Sequence, residues 1–209
     1  MFEKEIICQI IYIVAAYLLG AIPTSVWIGK ILYHTDVRSH GSGNAGATNT
    51  FRTLGYKAGI PVLIFDVFKG WAAVNLLYVY QVFPPDAQEF INLRIYMGFA
   101  AVFGHIFPVY VGFRGGKGVA TLIGIGFALL PYSTLCSIAF FLVIFSIFRY
   151  VSLGSILSGI AFVFFTAFIF PKDELQYLIF SITPHGVLTA AHHVRSQDQF
   201  PLRICLMHP

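Results

Sequence analysis

The chain has 209 residues, 57% of them hydrophobic and only 11% charged, whereas a soluble domain carries roughly 25% charged residues. Thirteen Lys and Arg with nine Asp and Glu cannot clothe such a chain in polar groups, and 22 Phe and 11 Tyr need a solvent other than water, which excludes a soluble protein. The net charge of +4 is explained first by membrane topology and anionic lipid headgroups, so nucleic acid is not expected as a partner.

A membrane span needs roughly 20 mostly apolar residues. On that scale the chain reads as an all-α integral membrane protein of about seven transmembrane helices, one polytopic domain over 1–209, with spans near 6–28, 58–80, 91–112, 118–133, 135–148, 153–170 and 175–191. The first stretch has no small-residue cleavage site and runs on as a full span, so a retained helix is expected in place of a removed signal. The fourth and fifth spans are short and separated only by Pro131-Tyr132-Ser133, which leaves a single kinked or re-entrant element open there. With the N-terminus outside, one side of the membrane holds nine bases, Lys30, Arg38, Arg52, Lys57, Arg114, Lys117, Arg149, Arg195 and Arg203. The other side holds three, Lys4, Arg94 and Lys172, so the positive-inside rule places the odd-numbered loops in the cytoplasm. Cys8, Cys136 and Cys205 lack pairing or metal-ligand spacing.

The first cytoplasmic loop reads Gly41-Ser42-Gly43-Asn44-Ala45-Gly46-Ala47-Thr48-Asn49-Thr50-Phe51-Arg52. Small residues let backbone N–H groups approach an anion, Ser42, Asn44, Thr48 and Asn49 add donors, and Arg52 adds a planar fork for phosphate. A plain polar turn between helices is the alternative. Within the second span, Asp66 and Lys69 are three residues apart and share a helix face, where an unpaired charge would be costly. They are read as a pair or as groups facing the bundle interior, with a structural ion pair and phosphate binding by Lys69 both open. His105, late in the third span, is read as bracing a loop ahead of moving a proton. The second polar stretch, Gly112-Phe113-Arg114-Gly115-Gly116-Lys117-Gly118, opens into the fourth span. A Lys among glycines at a helix N-terminus suits an anion, because free amides, helix dipole and ammonium point the same way. It is not a Walker A loop, since Val111 and Gly118 stand where that motif needs Gly and Ser or Thr.

GSGNAGATN with Arg52, DVFKG at 66–70, GHIFPVYVGFRGGKGVAT at 104–121 and RYVSLGSI at 149–156 together resemble the signatures of the acyl-phosphate:glycerol-3-phosphate acyltransferases, over residues from about 10 to 180. The resemblance implies a seven-helix enzyme of the bacterial inner membrane with its active-site loops in the cytoplasm. Such an enzyme moves an acyl chain from acyl phosphate to the 1-hydroxyl of glycerol 3-phosphate, giving lysophosphatidic acid and phosphate, with no metal or nucleotide cofactor. It would work beside the enzyme that makes acyl phosphate, with membrane lipid around it. On this reading Ser42, Gly43, Thr48, Asn49, Arg52 and Lys69 line the substrate phosphates with Gly115, Gly116 and Gly118. Lys117, His105 and Asn44 are the candidate catalytic residues. Acyl phosphate is already activated, so positioning and charge stabilisation suffice and no covalent intermediate is needed.

His193 and Asp198 match the His-x4-Asp pattern of the acyl-CoA-using acyltransferases, whose other blocks are absent. Family members end the seventh span with His-Arg-x-Asn-Ile or a close variant, whereas here Pro184-His185-Gly186 interrupts it and His192-His193-Val194-Arg195-Ser196-Gln197-Asp198 follows. Read one nucleotide later, the codons for the Ser196–Pro201 stretch permit His-Arg-Thr-Asn-Phe. A frameshift between about Ile182 and Ser196 is therefore expected, with weak activity for a chain carrying this divergent 182–209 tail. A transporter or channel for a phosphorylated solute is the competing function; the sequence has no internal repeat to support it.

Overall fold

The computed structural model describes residues 2–79, 83–84 and 87–169, and every regular element among them is helical. The chain falls into two compact units, one from Met1 to Leu129 and one from Leu130 onward.

In the first unit, α1 (Phe2–Gly20) and α2 (Thr24–Tyr33) together form a 29-residue apolar stretch, Glu5–Tyr33, interrupted at Pro23. Proline has no N–H to continue the ladder. The carbonyl of Ile22 instead accepts from the Thr24 amide at 3.0 Å and remains available to other donors. A short 3-10 turn at Val37–Ser39 leads to α3 (Ala47–Leu54), then α4 (Tyr56–Asn75), α5 (Gln88–Ile106) and α6 (Val119–Leu129). In the membrane, helices associate where small residues let backbones touch. Helix α1 packs on α5 this way: a Cβ on Gly104 would overlap the Tyr17 carbonyl oxygen, and one on Gly20 would overlap that of Ala101. The α4–α6 contact is built alike, with Gly70 against the Thr121 carbonyl and Gly124 against that of Val67. Arg94 closes the far end of this unit. Its guanidinium donates to the Ala128 carbonyl at 2.6 Å, near the C-terminus of α6, and lies over the rings of Tyr78 and Phe90.

The second unit contains α7 (Pro131–Phe148) packed on α8 (Val151–Ile169). Pro131 occupies the first turn of α7, where its missing N–H costs nothing. The outward faces of both helices carry large apolar groups such as Leu142, Ile147, Phe164 and Phe168, as lipid-facing helices do.

Among the described residues, five helical stretches are long and apolar enough to cross a membrane: Glu5–Tyr33, Tyr56–Val79, Gln88–Val111, Pro131–Phe148 and Val151–Ile169. They correspond to the expected spans one, two, three, five and six. Span four is different. Helix α6 has 11 residues, about 16 Å of helix, roughly half the thickness of a bilayer core, because its apolar run is opened by glycines and stopped at Leu130. The expected break at Pro131–Ser133 falls one residue earlier, with Pro131 inside α7. The first loop also differs from a plain turn, since residues from Ala47 onward form α3. The expected seventh span, near 175–191, and the tail lie outside the described residues.

Candidate active site

The glycine-rich segment of the first loop is held by one side chain. Gly41 and Gly43 adopt left-handed conformations (φ 58° and 70°) that reverse the chain. Asn49, in the first turn of α3, reaches back into the curve. Its Oδ1 accepts from the Ser42 amide at 2.8 Å, and its Nδ2 donates to the carbonyls of Val37, His40 and Asn44 at 2.7, 3.1 and 3.1 Å. Asn44 is also buried and donates to the Ser42 hydroxyl oxygen at 3.3 Å, which orients that group. Below the loop Val26, Val37 and Ala45 form a small apolar cluster, flanked by Leu54 and Val111. The loop therefore rests on a core of its own.

The second glycine segment folds back onto the end of α5. The Gly115 amide donates to the Ile106 carbonyl at 3.1 Å, and the Gly116 amide to the His105 carbonyl at 3.2 Å. No larger residue fits at either place: a Cβ on Gly115 would overlap the His105 carbonyl oxygen, and one on Gly116 would overlap His105 Nε2. Gly118 is left-handed (φ 82°) and delivers the chain into α6.

The two segments meet. The Ala45 amide donates to the Gly115 carbonyl at 3.4 Å, and Arg38 Nη1 donates to the Val111 carbonyl at 2.8 Å. Helix α3 begins two residues after Ala45 and α6 four residues after Gly115, so both helices start close to this crossing. Free amides and dipoles at two helix N-termini, with half-buried Lys117 beside them, favour an anion. Thr48 and Arg52 are exposed on α3, and the Arg52 Cδ lies by Gly41, at 3.3 Å from where a Cβ there would stand. Among the described residues, no carboxylate pairs with Arg52.

Beneath the crossing is a buried polar cluster. Asp66 Oδ1 takes the Lys69 ammonium at 2.7 Å and the Thr24 hydroxyl at 3.1 Å. Lys69 also donates to the Ile22 carbonyl freed at the Pro23 break, at 2.8 Å. His105 Nδ1 lies 3.8 Å from the same Asp66 oxygen and 3.0 Å from the Thr121 hydroxyl. Outside the spans, Asp36 takes Arg38 through both carboxylate oxygens, at 3.0 and 2.8 Å. That guanidinium holds the Asp36 carboxyl well below the usual carboxylate range, and the carboxylate in turn raises Arg38.

The expected residues thus fall into three groups. Ser42, Gly43, Asn44 and Asn49 build one loop, Gly115, Gly116 and Gly118 build the other over His105, and Lys69 is joined to Asp66 underneath. Thr24 and Thr121 were not expected, although each is a buried polar residue beside a marked signal, Pro23 in one case and GGKG in the other. Arg38 was expected only as one base in a topology count.

The chain matches the family model for glycerol-3-phosphate acyltransferase over residues 10–199. The glycerol-3-phosphate acyltransferase of Chlorobium phaeobacteroides is 46% identical over 158 residues, which cover 73% of this chain and 67% of that protein. That of Chlorobaculum tepidum is 50% identical over 155 residues, 72% of this chain and 66% of that protein. The alignments thus span about two thirds of the length of these curated relatives. Among solved structures, PlsY (YgiH), an integral membrane glycerol 3-phosphate acyltransferase, superposes in its glycerol 3-phosphate form with a TM-score of 0.78 and 36% identity over 90% of each chain. Its lysophosphatidic acid form gives a TM-score of 0.76 and 34% identity, again over 90% of each. The sequence signatures, the helical membrane fold and these likenesses agree: the chain belongs to the glycerol-3-phosphate acyltransferase family.

Proposed function

We propose that this chain transfers an acyl group from acyl phosphate to the 1-hydroxyl of glycerol 3-phosphate, giving lysophosphatidic acid and inorganic phosphate. The observation that carries the reading is the crossing of the two glycine segments at Ala45 and Gly115, where two helices begin beside Lys117. Relatives of the chain are named glycerol-3-phosphate acyltransferases, and the superposing structures are glycerol 3-phosphate and lysophosphatidic acid forms.

In this reading Ser42, oriented by Asn44, and Arg52 with Thr48 hold glycerol 3-phosphate. Lys117 with the Gly118 amide and the first amides of α6 holds the acyl phosphate, on a turn that Gly115 and Gly116 shape by giving their amides to the Ile106 and His105 carbonyls. The hydroxyl oxygen attacks the acyl carbonyl carbon, the bond to the bridging oxygen breaks, and phosphate departs with that oxygen. The hydroxyl proton goes to a phosphate oxygen of the substrates. Charge builds on the carbonyl oxygen and on the leaving phosphate, where an ammonium and fixed amides stabilise it without reorganisation. Asn49 and Lys69 act from behind this surface, because their polar atoms are engaged with backbone carbonyls and Asp66.

The proposal extends to seven spans in a bacterial inner membrane with the glycine segments in the cytoplasm, and to a partner enzyme that supplies acyl phosphate. A cysteine at exposed Arg114 then reacts with an impermeant label from the cytoplasmic face, and labelling from outside contradicts the orientation. The activity is tested by phosphate release from palmitoyl phosphate, which is expected to depend on glycerol 3-phosphate. Mass spectrometry of the C-terminal peptide, with resequencing of the gene, decides the tail.

A further inference from the structure

His105 sits between two things it could transmit between. At one edge of its ring, Nδ1 meets the Thr121 hydroxyl at 3.0 Å, with Asp66 Oδ1 at 3.8 Å. At the other edge, Nε2 lies against the backbone of Gly116, where a side chain would overlap it and also stand 2.7 Å from the Ala45 carbonyl oxygen. The residue's own carbonyl accepts the Gly116 amide at 3.2 Å. The ring is therefore wedged beneath the meeting point of the two glycine segments, and a turn about its last torsion would press on that point.

The opposing hydroxyl is itself fixed. Thr121 is fully buried, and its backbone is in contact with Gly70 of α4, close enough that a Cβ there would overlap the Thr121 carbonyl oxygen. Helix α4 also carries Asp66, held by Lys69 and Thr24. Both groups that face Nδ1 are thus set by the α4–α6 packing.

We propose that Thr121 is a positioning residue for the phosphate turn Gly115–Lys117. Its hydroxyl locks the His105 ring, and the ring sets the height of the turn that receives the phosphate of acyl phosphate. The proposal rests on the acyltransferase reading for the identity of that ligand.

Thr121→Val keeps the volume and removes the hydroxyl, while Thr121→Ser keeps the hydroxyl and removes the methyl group. If the hydrogen bond is what matters, Thr121→Val raises the KM for palmitoyl phosphate roughly three- to tenfold, about the effect of one buried hydrogen bond. The KM for glycerol 3-phosphate and the kcat then change less than about twofold, and Thr121→Ser stays near the parent for all three constants. A packing role gives the reverse order, with Thr121→Val like the parent and Thr121→Ser impaired, and overturns the proposal. So does a Thr121→Val protein that loses thermal stability with unchanged KM. Thr121→Ala replaces Thr121→Val if the latter does not fold. Binding of inorganic phosphate to the purified parent and variants, measured by calorimetry, needs no turnover and should weaken in the same order. A parent that binds phosphate without acyl transfer defeats the acyltransferase reading alone, whereas equal phosphate binding by parent and Thr121→Val defeats the Thr121 proposal.

Discussion

Asp66 with Lys69 and Asp36 with Arg38 are the same device in two solvents. Each acid holds a base two or three residues along the chain, and each base reaches on to a carbonyl of a distant segment, Lys69 to Ile22 and Arg38 to Val111, both at 2.8 Å. They differ in burial. The Asp66 and Lys69 side chains are 2% and 7% exposed, those of Asp36 and Arg38 26% and 20%. Inside the membrane span neither charge has water to fall back on, so the pair is surrounded by further partners, Thr24 and the broken end of α1. At the boundary, half-exposed Lys30 at 3.3 Å from Asp36 and water are the alternative partners, and the pair acts as a clip between the first loop and the segment after α5. Position relative to the bilayer, more than residue type, decides how much each pair matters.

The sharpest way to break the comparison is to remove one base from each pair. Lys69→Met leaves Asp66 buried without its cation, and the expected loss is about 3–5 kcal/mol of stability, read as a large fall in thermal midpoint in detergent. Asp66→Asn added to Lys69→Met should restore part of it, since no uncompensated charge remains. Arg52 sharpens the contrast, because both acid–base pairs are committed to structure while this exposed base has no carboxylate beside it among the described residues. Arg52→Lys should leave stability unchanged and raise the KM for glycerol 3-phosphate about tenfold, since an ammonium cannot copy a planar fork. An unchanged KM removes Arg52 from the site.

Arg38→Gln should cost about 1 kcal/mol or less and less still at high salt, as a partly exposed pair does. The acid limb follows in sign. Asp36 is held below its ordinary range when folded, so its contribution is fully present above the unfolded carboxylate value of about 3.9 and is lost as pH falls below that toward the folded value. Asp36→Asn should therefore lower stability slightly in the neutral region, by about 1 kcal/mol or less, and converge on the parent at the acid end, which flattens the acid limb. A steeper acid limb in the variant contradicts the assignment.

How much of this was legible in the sequence follows from the range of the interactions. The spacing of Asp66 and Lys69 announces a shared face, and the pair is there. Thr24, which completes it, lies 42 residues from Asp66 and no local pattern links them. His105 was readable as a brace, but its partner Thr121 stands in an apolar run where one hydroxyl carries no period. Hydropathy marks each long span among the described residues yet cannot tell that α6 is only 11 residues, because composition says what solvent a segment prefers and not how far it extends. The Gly, Ser and Asn of the first loop signalled a turn, and its first half is one, reversed at left-handed Gly41 and Gly43. The second half became α3 because Asn49, read there as a phosphate donor, satisfies the loop's backbone groups and lets the helix start at Ala47. Side-chain chemistry near a motif was visible; who would answer it across the fold was not.

The central claim is that the crossed glycine segments hold acyl phosphate beside the glycerol 3-phosphate hydroxyl. It is tested most directly by incubating the purified protein with palmitoyl phosphate and glycerol 3-phosphate and counting both products. The account predicts one lysophosphatidic acid per phosphate released, no release above background without glycerol 3-phosphate, and loss of on the order of a hundredfold in rate for Lys117→Ala with the thermal midpoint preserved. Phosphate release that ignores glycerol 3-phosphate, or a Lys117→Ala protein within a few-fold of the parent, would contradict it.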